Sequence, residues 1–242
     1  MGSPPQAAVI FCAGEGTRLR PLTKTVPKCL VEIDGEPVLF RWLRALARVG
    51  VRQFCINTHH LAESVQCAVE ESEWSAAVRL SYEPILLGSA GALLAFSELL
   101  DRPFYAVYGD VSTDTDVTRL WTAHRQHAAF TTMLVHDRVD ATSGGMVVFD
   151  EETGCVRRFC EKPSRTAVVS PWVSAGVFVM DPEVLRYVPV DTPFDIGHDL
   201  IPALLSAGEH VQAVRLEDSS YLVDIGTHEA LELARTIVKA RR

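Results

Sequence analysis

With 242 residues, of which 48% are hydrophobic and 22% charged, the chain has the composition of a globular protein with a sizeable core. Its net charge of −8 argues against a nonspecific nucleic-acid binder, which needs a broad basic face. No apolar run approaches the ~18 residues that span a membrane, and the amino terminus lacks the pattern of a signal peptide. We therefore expect a cytoplasmic protein without nucleic-acid or membrane partners.

Six cysteines are scattered along the chain without a Cys-x-x-Cys pair, and several lie in apolar, strand-like runs. We expect reduced thiols in the core rather than disulfides. His124 and His127 share one face of a predicted helix, but no cysteine or carboxylate stands near them at ligand spacing. The sequence therefore disfavours a zinc site on that face.

Strand and helix patterns alternate along the first half of the chain. Apolar runs predict strands at residues 7–12, 53–57, 78–82 and 104–108. Periodic patterns predict helices at residues 38–49, 61–71 and 90–99. This alternation indicates βαβ crossovers and a mainly parallel central sheet covered on both faces, which is a three-layer α/β sandwich.

The second half of the chain is richer in strands. Short β-like runs occur at residues 131–136, 145–149, 156–161, 174–180, 211–216 and 221–223, and helical patterns at 195–207 and 228–240. Thr227 is the expected N-cap of the last helix. Because no repeat or long linker interrupts the sequence, we predict one domain over residues 1–242. A soft division near residue 137 separates residues 1–136 from residues 137–242.

The most informative segment follows the first predicted strand. Between residues 16 and 31 there are four cations, Arg18, Arg20, Lys24 and Lys28, and no carboxylate, although the whole protein is acidic. Glycine-rich backbone at the end of a strand can bring several N–H groups close to phosphate oxygens, and arginine and lysine add charge. The segment therefore predicts a polyphosphate site.

Two common phosphate-binding motifs do not match this segment. A Walker loop needs four residues between its glycines, followed by Gly-Lys-Ser/Thr, and the spacing here differs. A dinucleotide fingerprint needs glycine where the chain has Leu19. Gly14 and Gly16 alone are equally compatible with a tight turn, so the surrounding cations carry the phosphate prediction.

Five motifs, taken in order, resemble the signature of the sugar-1-phosphate nucleotidyltransferases, also called NDP-sugar pyrophosphorylases. They are residues 13–23 with Pro27-Lys28, residues 87–93, Tyr108-Gly109-Asp110, Glu161-Lys162-Pro163, and Asp224-Ile225-Gly226-Thr227. The resemblance covers nearly the whole chain and implies a Rossmann-like fold. It also implies an enzyme that joins a nucleoside triphosphate to a sugar 1-phosphate, with Mg²⁺, and releases pyrophosphate.

The resemblance assigns a role to each motif residue. Arg18, Lys28 and Lys162 are implied to be catalytic phosphate contacts, and Asp110 and Asp224 are implied to hold Mg²⁺. The implied nucleotide-binding residues are Ala13, Gly14, Glu15, Gly16, Thr17, Arg18, Lys28, Glu83, Gly88, Ser89 and Gly109. The implied sugar-phosphate-binding residues are Gly145, Glu161, Lys162, Ser174 and Gly176. The resemblance thus makes residues 1–136 the nucleotide-binding half and residues 137–242 the sugar-phosphate-binding half.

The base and the sugar are less well defined. The Leu-Gly-Ser-Ala-Gly form of the second loop, residues 87–91, resembles guanylyltransferases and some uridylyltransferases more than thymidylyltransferases. The short chain is similar to guanylyltransferases that act on mannose, heptose or other higher-carbon sugar 1-phosphates. A uridylyl- or thymidylyltransferase acting on a hexose 1-phosphate is the alternative. A non-catalytic regulatory subunit is a second alternative, but it is expected to lose residues that this chain keeps. Dimerisation is common in the family, so a homodimer is compatible with the resemblance.

The sequence departs from the usual family pattern at two positions. Cys29 stands where the family usually has proline. Ser174 stands where the family usually has asparagine, and this difference predicts an altered sugar pocket.

Asp114-Thr115-Asp116 is an Asp-x-Asp triplet, as metal-dependent glycosyltransferases of a related fold use. It precedes a helical pattern at residues 117–127, so a role at the start of that helix explains it better.

Overall fold

The strands and helices that the hydrophobic pattern predicts are found in the predicted order, and the described residues form three further short strands. The computed structural model describes residues 3–138 and 140–241. In chain order the strands are β1 (Ala7–Phe11), β2 (Glu32–Ile33), β3 (Glu36–Pro37), β4 (Gln53–Thr58), β5 (Val78–Tyr82), β6 (Phe104–Tyr108), β7 (Val111–Thr113), β8 (Thr131–Asp137), β9 (Gly145–Phe149), β10 (Val156–Glu161), β11 (Trp172–Met180), β12 (Val211–Arg215) and β13 (Leu222–Asp224). The α-helices are α1 (Val38–Arg48), α2 (Ala62–Glu70), α3 (Gly88–Leu94), α4 (Thr118–Gln126), α5 (Ile201–Ser206) and α6 (His228–Ala240).

Two predicted helices differ from the structure. The helix predicted at residues 90–99 begins earlier, at Gly88, and ends at Leu94. The helix predicted at 195–207 begins as a π-helical turn, Ile196–Leu200, before α5. Pro202 explains this change, because it has no N–H to donate to the carbonyl four residues earlier.

Contacts group the chain into two compact units. Unit 1 comprises the described residues of 1–86, Val107–Thr115 and the described residues of 218–242, and unit 2 comprises Leu87–Ala106 and Asp116–Glu217. The single domain and its functional division near residue 137 stay predictions, and the predicted boundaries at residues 1 and 242 lie outside the described residues. In the structure, the segment after residue 217 groups with the first part of the chain.

Unit 1 contains a parallel sheet. β1 pairs parallel with β4, and β4 pairs parallel with β5. Helix α1 buries one face that includes Leu39, Trp42 and Leu46, and the Trp42 indole donates a hydrogen bond to the Val111 carbonyl at 2.7 Å. The parallel pairing places the carboxyl ends of all three strands at one edge, where ligands of such sheets bind.

Unit 2 is mainly antiparallel. β11 pairs antiparallel with β8 and β9, and β9 pairs antiparallel with β10, while β12 pairs parallel with β8. Its core includes Met133, Leu134, Val177 and Phe178. A parallel sheet in one unit and a strand-rich second unit confirm the predicted α/β class.

All six cysteines lie in the described segments and are free thiols, and Cys12, Cys29 and Cys55 are buried as expected for core residues. Burial raises the pKa of the Cys55 thiol to about 12, which makes it unreactive at neutral pH.

Across residues 3–138 and 140–241, no helix has the length and apolar character needed to cross a bilayer.

Candidate functional site

The predicted phosphate loop lies in unit 1, directly after β1. Gly16 adopts the left-handed conformation, with φ of 61°, and its carbonyl accepts a hydrogen bond from the Thr23 hydroxyl at 2.7 Å. A Cβ at residue 16 would lie 2.9 Å from a Thr23 carbon, so glycine is required both for the conformation and for space. Buried Leu19 anchors the segment, and Gly14 and Arg18 are exposed. The loop is thus held at its base while its tip faces solvent.

A buried polar chain joins the carboxyl ends of the three parallel strands. The Cys12 N–H donates to Asn57 Oδ1 at 2.9 Å, and Asn57 Nδ2 donates to Glu83 Oε1 at 2.7 Å. Glu83 is also held by its own N–H, which donates to the Thr58 carbonyl at 2.8 Å. The sequence predicted Glu83 but missed Asn57. A polar residue at the end of an otherwise apolar strand was the available signal.

Gly109 allows the end of β6 to approach the end of β1. Its N–H donates to the Phe11 carbonyl at 3.0 Å. A Cβ at this position would lie 2.8 Å from the Cys12 sulfur and 2.9 Å from the Phe11 carbonyl oxygen. The close approach therefore requires glycine, and it fixes the backbone that presents Asp110.

A short strand pair brings Asp224 to Asp110. β13 pairs antiparallel with β7, and in that register Asp224 lies opposite Val111. The Ile225 N–H donates to the Asp110 carbonyl at 3.0 Å. This pairing explains how two carboxylates so far apart in the sequence become neighbours.

Lys28 lies between these two carboxylates. Its ammonium forms an ion pair with Asp110 and lies 3.4 Å from Asp224 Oδ1, and only 12% of its side chain is exposed. Arg18 Nη2 lies 4.0 Å from the other Asp224 oxygen. A Cβ at Gly226 would lie 2.7 Å from that nitrogen, so glycine gives the guanidinium room. The sequence predicted each of these residues but not the contact of Lys28 with the carboxylates.

The arrangement around Lys28 fits a divalent cation. Two carboxylates already share one positive group, which shows that their oxygens converge on one position. Mg²⁺ takes one or two protein carboxylates and completes its shell with water and substrate phosphates. Within residues 3–138 and 140–241, no group of three or more His, Cys, Asp or Glu side chains could hold a metal by itself. Asp110 and Asp224 therefore suit an ion that is bound together with a phosphate substrate.

The second predicted nucleotide loop lies in unit 2, where it begins α3. Gly88 has φ of 74°, and a Cβ there would lie 2.6 Å from the Phe194 carbonyl oxygen. The Ser89 hydroxyl donates to Asp195 Oδ2 at 2.6 Å. Asp195, at the start of the helix predicted over residues 195–207, is thus in direct contact with the loop.

Glu161 and Lys162 follow one another at the end of β10. A Cβ at Gly145 would lie 2.9 Å from Glu161 Oε2, and a Cβ at Gly197 would lie 2.6 Å from the same oxygen. The two glycines therefore flank the Glu161 carboxylate. Burial is the main cause that raises the pKa of the Glu161 carboxyl. Lys162 is in the left-handed region, with φ of 45°, and 71% of its side chain is exposed. Unit 2 therefore presents a clamped carboxylate next to an exposed cation.

Ser174 and Gly176 lie on β11 at an irregularity of the strand. The register with β8 shifts between Ser174 and Phe178, and Gly176 has φ of 70°. The Gly176 N–H donates to the Ser174 hydroxyl oxygen at 3.5 Å, so that side chain bends back over its own backbone. A bulge of this kind redirects side chains and is common beside binding sites.

The competing Asp-x-Asp triplet has other partners. In unit 1, Asp114 accepts a hydrogen bond from the Tyr221 N–H at 2.9 Å and pairs with Arg241 at 2.5 Å. In unit 2, Asp116 Oδ1 accepts from the Thr118 N–H at 3.0 Å at the start of α4. Both carboxylates are engaged in local structure, which argues against the glycosyltransferase interpretation.

Comparison with known proteins identifies the family. A family model described as "Nucleotidyl transferase" matches residues 7–240. The match covers nearly the whole chain, so the protein belongs to the nucleotidyl transferase family, as its motifs predicted.

Individual relatives divide between two nucleotides. A UTP–glucose-1-phosphate uridylyltransferase of Synechocystis is 32% identical over 234 residues, covering 90% of this chain and 60% of that protein. A mannose-1-phosphate guanylyltransferase catalytic subunit beta of Danio rerio is 33% identical over 224 residues, covering 90% of this chain and 61% of that protein. The chain thus spans about three-fifths of the length of these relatives.

A solved structure shares the fold. A UDP-glucose pyrophosphorylase, in complex with UDP-glucose, aligns over 99% of this chain and 100% of its own, with a TM-score of 0.86 and 16% identity. At that identity the likeness concerns the fold alone. It confirms the Rossmann-like nucleotidyltransferase fold that the sequence predicted.

Proposed function

We propose that the chain transfers a nucleotidyl group from a nucleoside triphosphate to a sugar 1-phosphate and releases pyrophosphate. One observation carries the proposal: Asp110 and Asp224, far apart in sequence, converge on Lys28, with Arg18 beside them. Two neighbouring carboxylates can hold a metal ion, and the two cations beside them can bind phosphate. This combination suits a reaction in which a metal and a triphosphate bind together. Family membership supports the same reaction.

The reaction needs no protein nucleophile. An oxygen of the sugar phosphate attacks the α-phosphorus in line, the bond to the β-phosphate bridging oxygen breaks, and pyrophosphate leaves on the opposite side. The attacking phosphate is already anionic at neutral pH, so no strong general base is required. Catalysis then consists mainly of positioning and charge neutralisation.

The unit 1 residues act on the triphosphate in this proposal. Arg18 and the backbone N–H groups of the loop 13–17 hold the pyrophosphate that leaves. Lys28 exchanges its carboxylate partners for phosphate oxygens when the triphosphate binds. Members of the family generally use a divalent metal ion, and we assign Mg²⁺ to Asp110 and Asp224, where it neutralises phosphate charge when bound.

The unit 2 residues act on the sugar phosphate. Exposed Lys162 binds the attacking phosphate, and its long side chain is free to turn away from Glu161 Oε1, which lies 3.9 Å from its ammonium. Clamped Glu161 accepts hydrogen bonds from sugar hydroxyls. Gly145, Ser174 and Gly176 complete the proposed sugar-phosphate residues.

We assign GTP as the nucleotide, and the position of Glu83 supports this choice. Guanine presents two adjacent donors, the N1–H and the 2-amino group, which a carboxylate can accept together. Uracil and thymine present one N–H flanked by two carbonyls, which a carboxylate repels. Glu83 is buried at the end of β5, with one oxygen held by Asn57. The guanylyltransferase relative supports GTP with a mannose-type sugar, while the uridylyltransferase relative keeps UTP with glucose as the alternative.

Pyrophosphate release tests the proposal. We would assay the four common nucleoside triphosphates against mannose, glucose and heptose 1-phosphates with Mg²⁺, and we expect GTP with a mannose- or heptose-type sugar to give the highest kcat/KM. Turnover only with UTP or dTTP would reject the guanine assignment while keeping the reaction. Binding of sugar nucleotides without release from any pair would instead support a regulatory subunit.

The variant Glu83→Gln tests the base assignment separately. Glutamine replaces one acceptor with a donor, so preference for GTP over UTP should fall by roughly 10-fold or more, about the value of one charged hydrogen bond. Glu63→Gln, an exposed glutamate of the same unit, is the matched control and should leave the preference unchanged. Equal preference in the Glu83 variant and the wild type would contradict the assignment.

A further inference from the structure

A short segment before α5 is bonded to the second nucleotide loop by its backbone. The Phe194 N–H donates to the Leu87 carbonyl at 2.7 Å. In return the Phe194 carbonyl accepts from the N–H groups of Ala90 and Gly91, each at 2.9 Å. All of these residues lie in unit 2. Backbone hydrogen bonds therefore hold the loop against residues 194–198, and we call these five residues the bridging segment.

Two side chains strengthen this connection. The Ser89 hydroxyl donates to Asp195 Oδ2 at 2.6 Å and accepts from the Ile196 N–H at 2.9 Å. Asp195 Oδ1 accepts from the N–H groups of Gly197 and His198, at 2.8 Å and 3.1 Å. One carboxylate thus binds the loop with one oxygen and fixes the π-helical turn with the other.

The opposite side of the bridging segment packs against the proposed sugar site. A Cβ at Gly197 would lie 2.6 Å from Glu161 Oε2 and 3.5 Å from Asp195 Oδ1, so the two carboxylates flank the same glycine. The charge of Asp195 adds to the burial that raises the pKa of Glu161, while Lys162 and His198 oppose it. Any shift of the turn is therefore transmitted to Glu161.

We propose that Asp195 is a positioning residue that joins the loop Leu87–Gly91 to Glu161 and so couples nucleotide binding to sugar-phosphate binding. This inference rests on the proposed function, because it takes the loop as a nucleotide contact and Glu161 as a sugar contact. Ordering of the loop by a nucleotide fixes Asp195 through Ser89, and the turn then holds Glu161 in place. By linkage the sugar phosphate tightens nucleotide binding by the same factor.

An ordinary helix cap in the same unit provides the contrast. Asp181 Oδ1 accepts from the Glu183 N–H at 3.0 Å at the start of a 3₁₀ helix. Among the described residues, the contacts of that cap include neither the loop nor Glu161. Asp181→Ala should therefore lower stability by the loss of a helix cap, as Asp195→Ala also does. It should not change the coupling between the two ligands.

The test measures binding of two ligands by calorimetry. The probes are mannose 1-phosphate and the α,β-methylene analogue of GTP, which cannot turn over, each titrated with Mg²⁺ in the absence and presence of the other. In the wild type we expect each ligand to tighten the other about 5-fold or more, the usual lower range of coupling. Asp195→Ala and Ser89→Ala should reduce this factor to near 1, whereas Asp181→Ala should leave it at the wild-type value.

Two further variants separate positioning from general damage. Asp195→Asn keeps an oxygen for the Gly197 and His198 N–H groups, so it should restore at least half of the coupling lost in Asp195→Ala. The double variant Ser89→Ala/Asp195→Ala should lose no more coupling than Asp195→Ala alone, because both substitutions break the same connection. Hydrogen exchange should show faster exchange of the Ala90 and Gly91 amides in Asp195→Ala.

The outcomes distinguish this inference from the proposed function. If wild type binds both probes and catalyses turnover, but Asp195→Ala keeps the wild-type coupling, the inference is wrong and the proposed function stands. A similar loss of coupling in Asp181→Ala would also overturn it. If wild type binds neither probe and no other triphosphate–sugar pair, both fail together.

Discussion

Unit 1 and unit 2 hold their charged residues in different ways. In unit 1, Lys28, Asp110 and Asp224 are kept together by ion pairs between side chains. In unit 2, Asp195 is fixed by backbone N–H groups, and Glu161 is confined by glycines that leave it no spare room. The first set can exchange partners when a ligand arrives, whereas the second is rigid as long as the backbone keeps its path.

The difference has a physical meaning for each proposed substrate. A triphosphate and its metal bring both signs of charge, so residues that receive them must re-pair, and the incoming charges replace the partners that the ion pairs lose. A sugar is recognised through hydroxyl groups whose directions matter, and fixed acceptors lose less entropy on binding. Substitutions in each unit test these two kinds of construction.

The largest expected effect is on the ion pairs of unit 1. Asp110→Ala should reduce pyrophosphate release at least about 100-fold, the range found when a main electrostatic contact of a transition state is removed. The fold should survive, because Asp110 is partly exposed and Lys28 retains Asp224. Turnover assays at several Mg²⁺ concentrations, with circular dichroism, measure both effects.

Asp114→Ala is the matched control for that prediction. This carboxylate also belongs to unit 1 but pairs with Arg241 and a backbone N–H instead of Lys28. Its removal should lower stability slightly and leave kcat within about 2-fold of wild type. Full activity in Asp110→Ala would refute the metal assignment.

A buried histidine makes unit 2 sensitive to acid. Burial lowers the pKa of His124 to about 4, and its Nδ1 is hydrogen-bonded to the Thr132 hydroxyl at 3.1 Å. Its unfolded-state pKa is about 6.5, so the unfolded chain binds more protons between pH 6.5 and 4. The free energy of unfolding should therefore fall by roughly 3 kcal/mol as the pH drops through this window.

Urea unfolding at several pH values measures how the free energy of unfolding depends on pH. His124→Asn keeps a polar atom near Thr132 but cannot take up a proton, so its stability should depend less steeply on pH than that of wild type. The difference between the two curves removes the contribution of the carboxylates, which titrate in both. Parallel curves would show that His124 does not titrate as described.

Backbone construction in unit 2 can be tested at two glycines. Gly88 and Gly208 both have positive φ, of 74° and 80°, but only a Cβ at residue 88 meets a neighbour, the Phe194 carbonyl oxygen. Gly208→Ala should cost about 1 kcal/mol for conformation alone. Gly88→Ala should cost roughly 2–3 kcal/mol, because the backbone must also move. Equal unfolding midpoints would contradict the tight packing of the loop on the bridging segment.

The smallest expected effect concerns sugar choice. Asparagine at residue 174 offers both a donor and an acceptor, whereas the Ser174 hydroxyl is short and bonded to its own strand. Ser174→Asn should change the ratio of kcat/KM values between mannose and heptose 1-phosphates by a few-fold, with kcat for the better sugar little altered. An unchanged preference across the sugar panel would show that residue 174 does not shape the pocket.

Much of the architecture could be read from local pattern. The strand Val78–Tyr82, the helix His228–Ala240 and the cap at Thr227, whose hydroxyl accepts from the Ala230 N–H at 3.2 Å, are found as predicted. The alternation of elements predicted the α/β class, and the five motifs predicted the family. These features depend on periodicity, capping and short motifs, which are properties of neighbouring residues.

Other features depend on contacts that no local pattern encodes. β7 has three residues and carries little hydrophobic signal, yet its pairing with β13 brings Asp224 to Asp110. The position of Lys28 between them, and the bond from Asn57 to Glu83, follow from the meeting of strands that are distant in sequence. The sequence by itself determined which residues are charged, where the elements lie and which family the chain joins. Only the tertiary structure decided which charges face each other, because ion pairs and hydrogen bonds depend on distance in space.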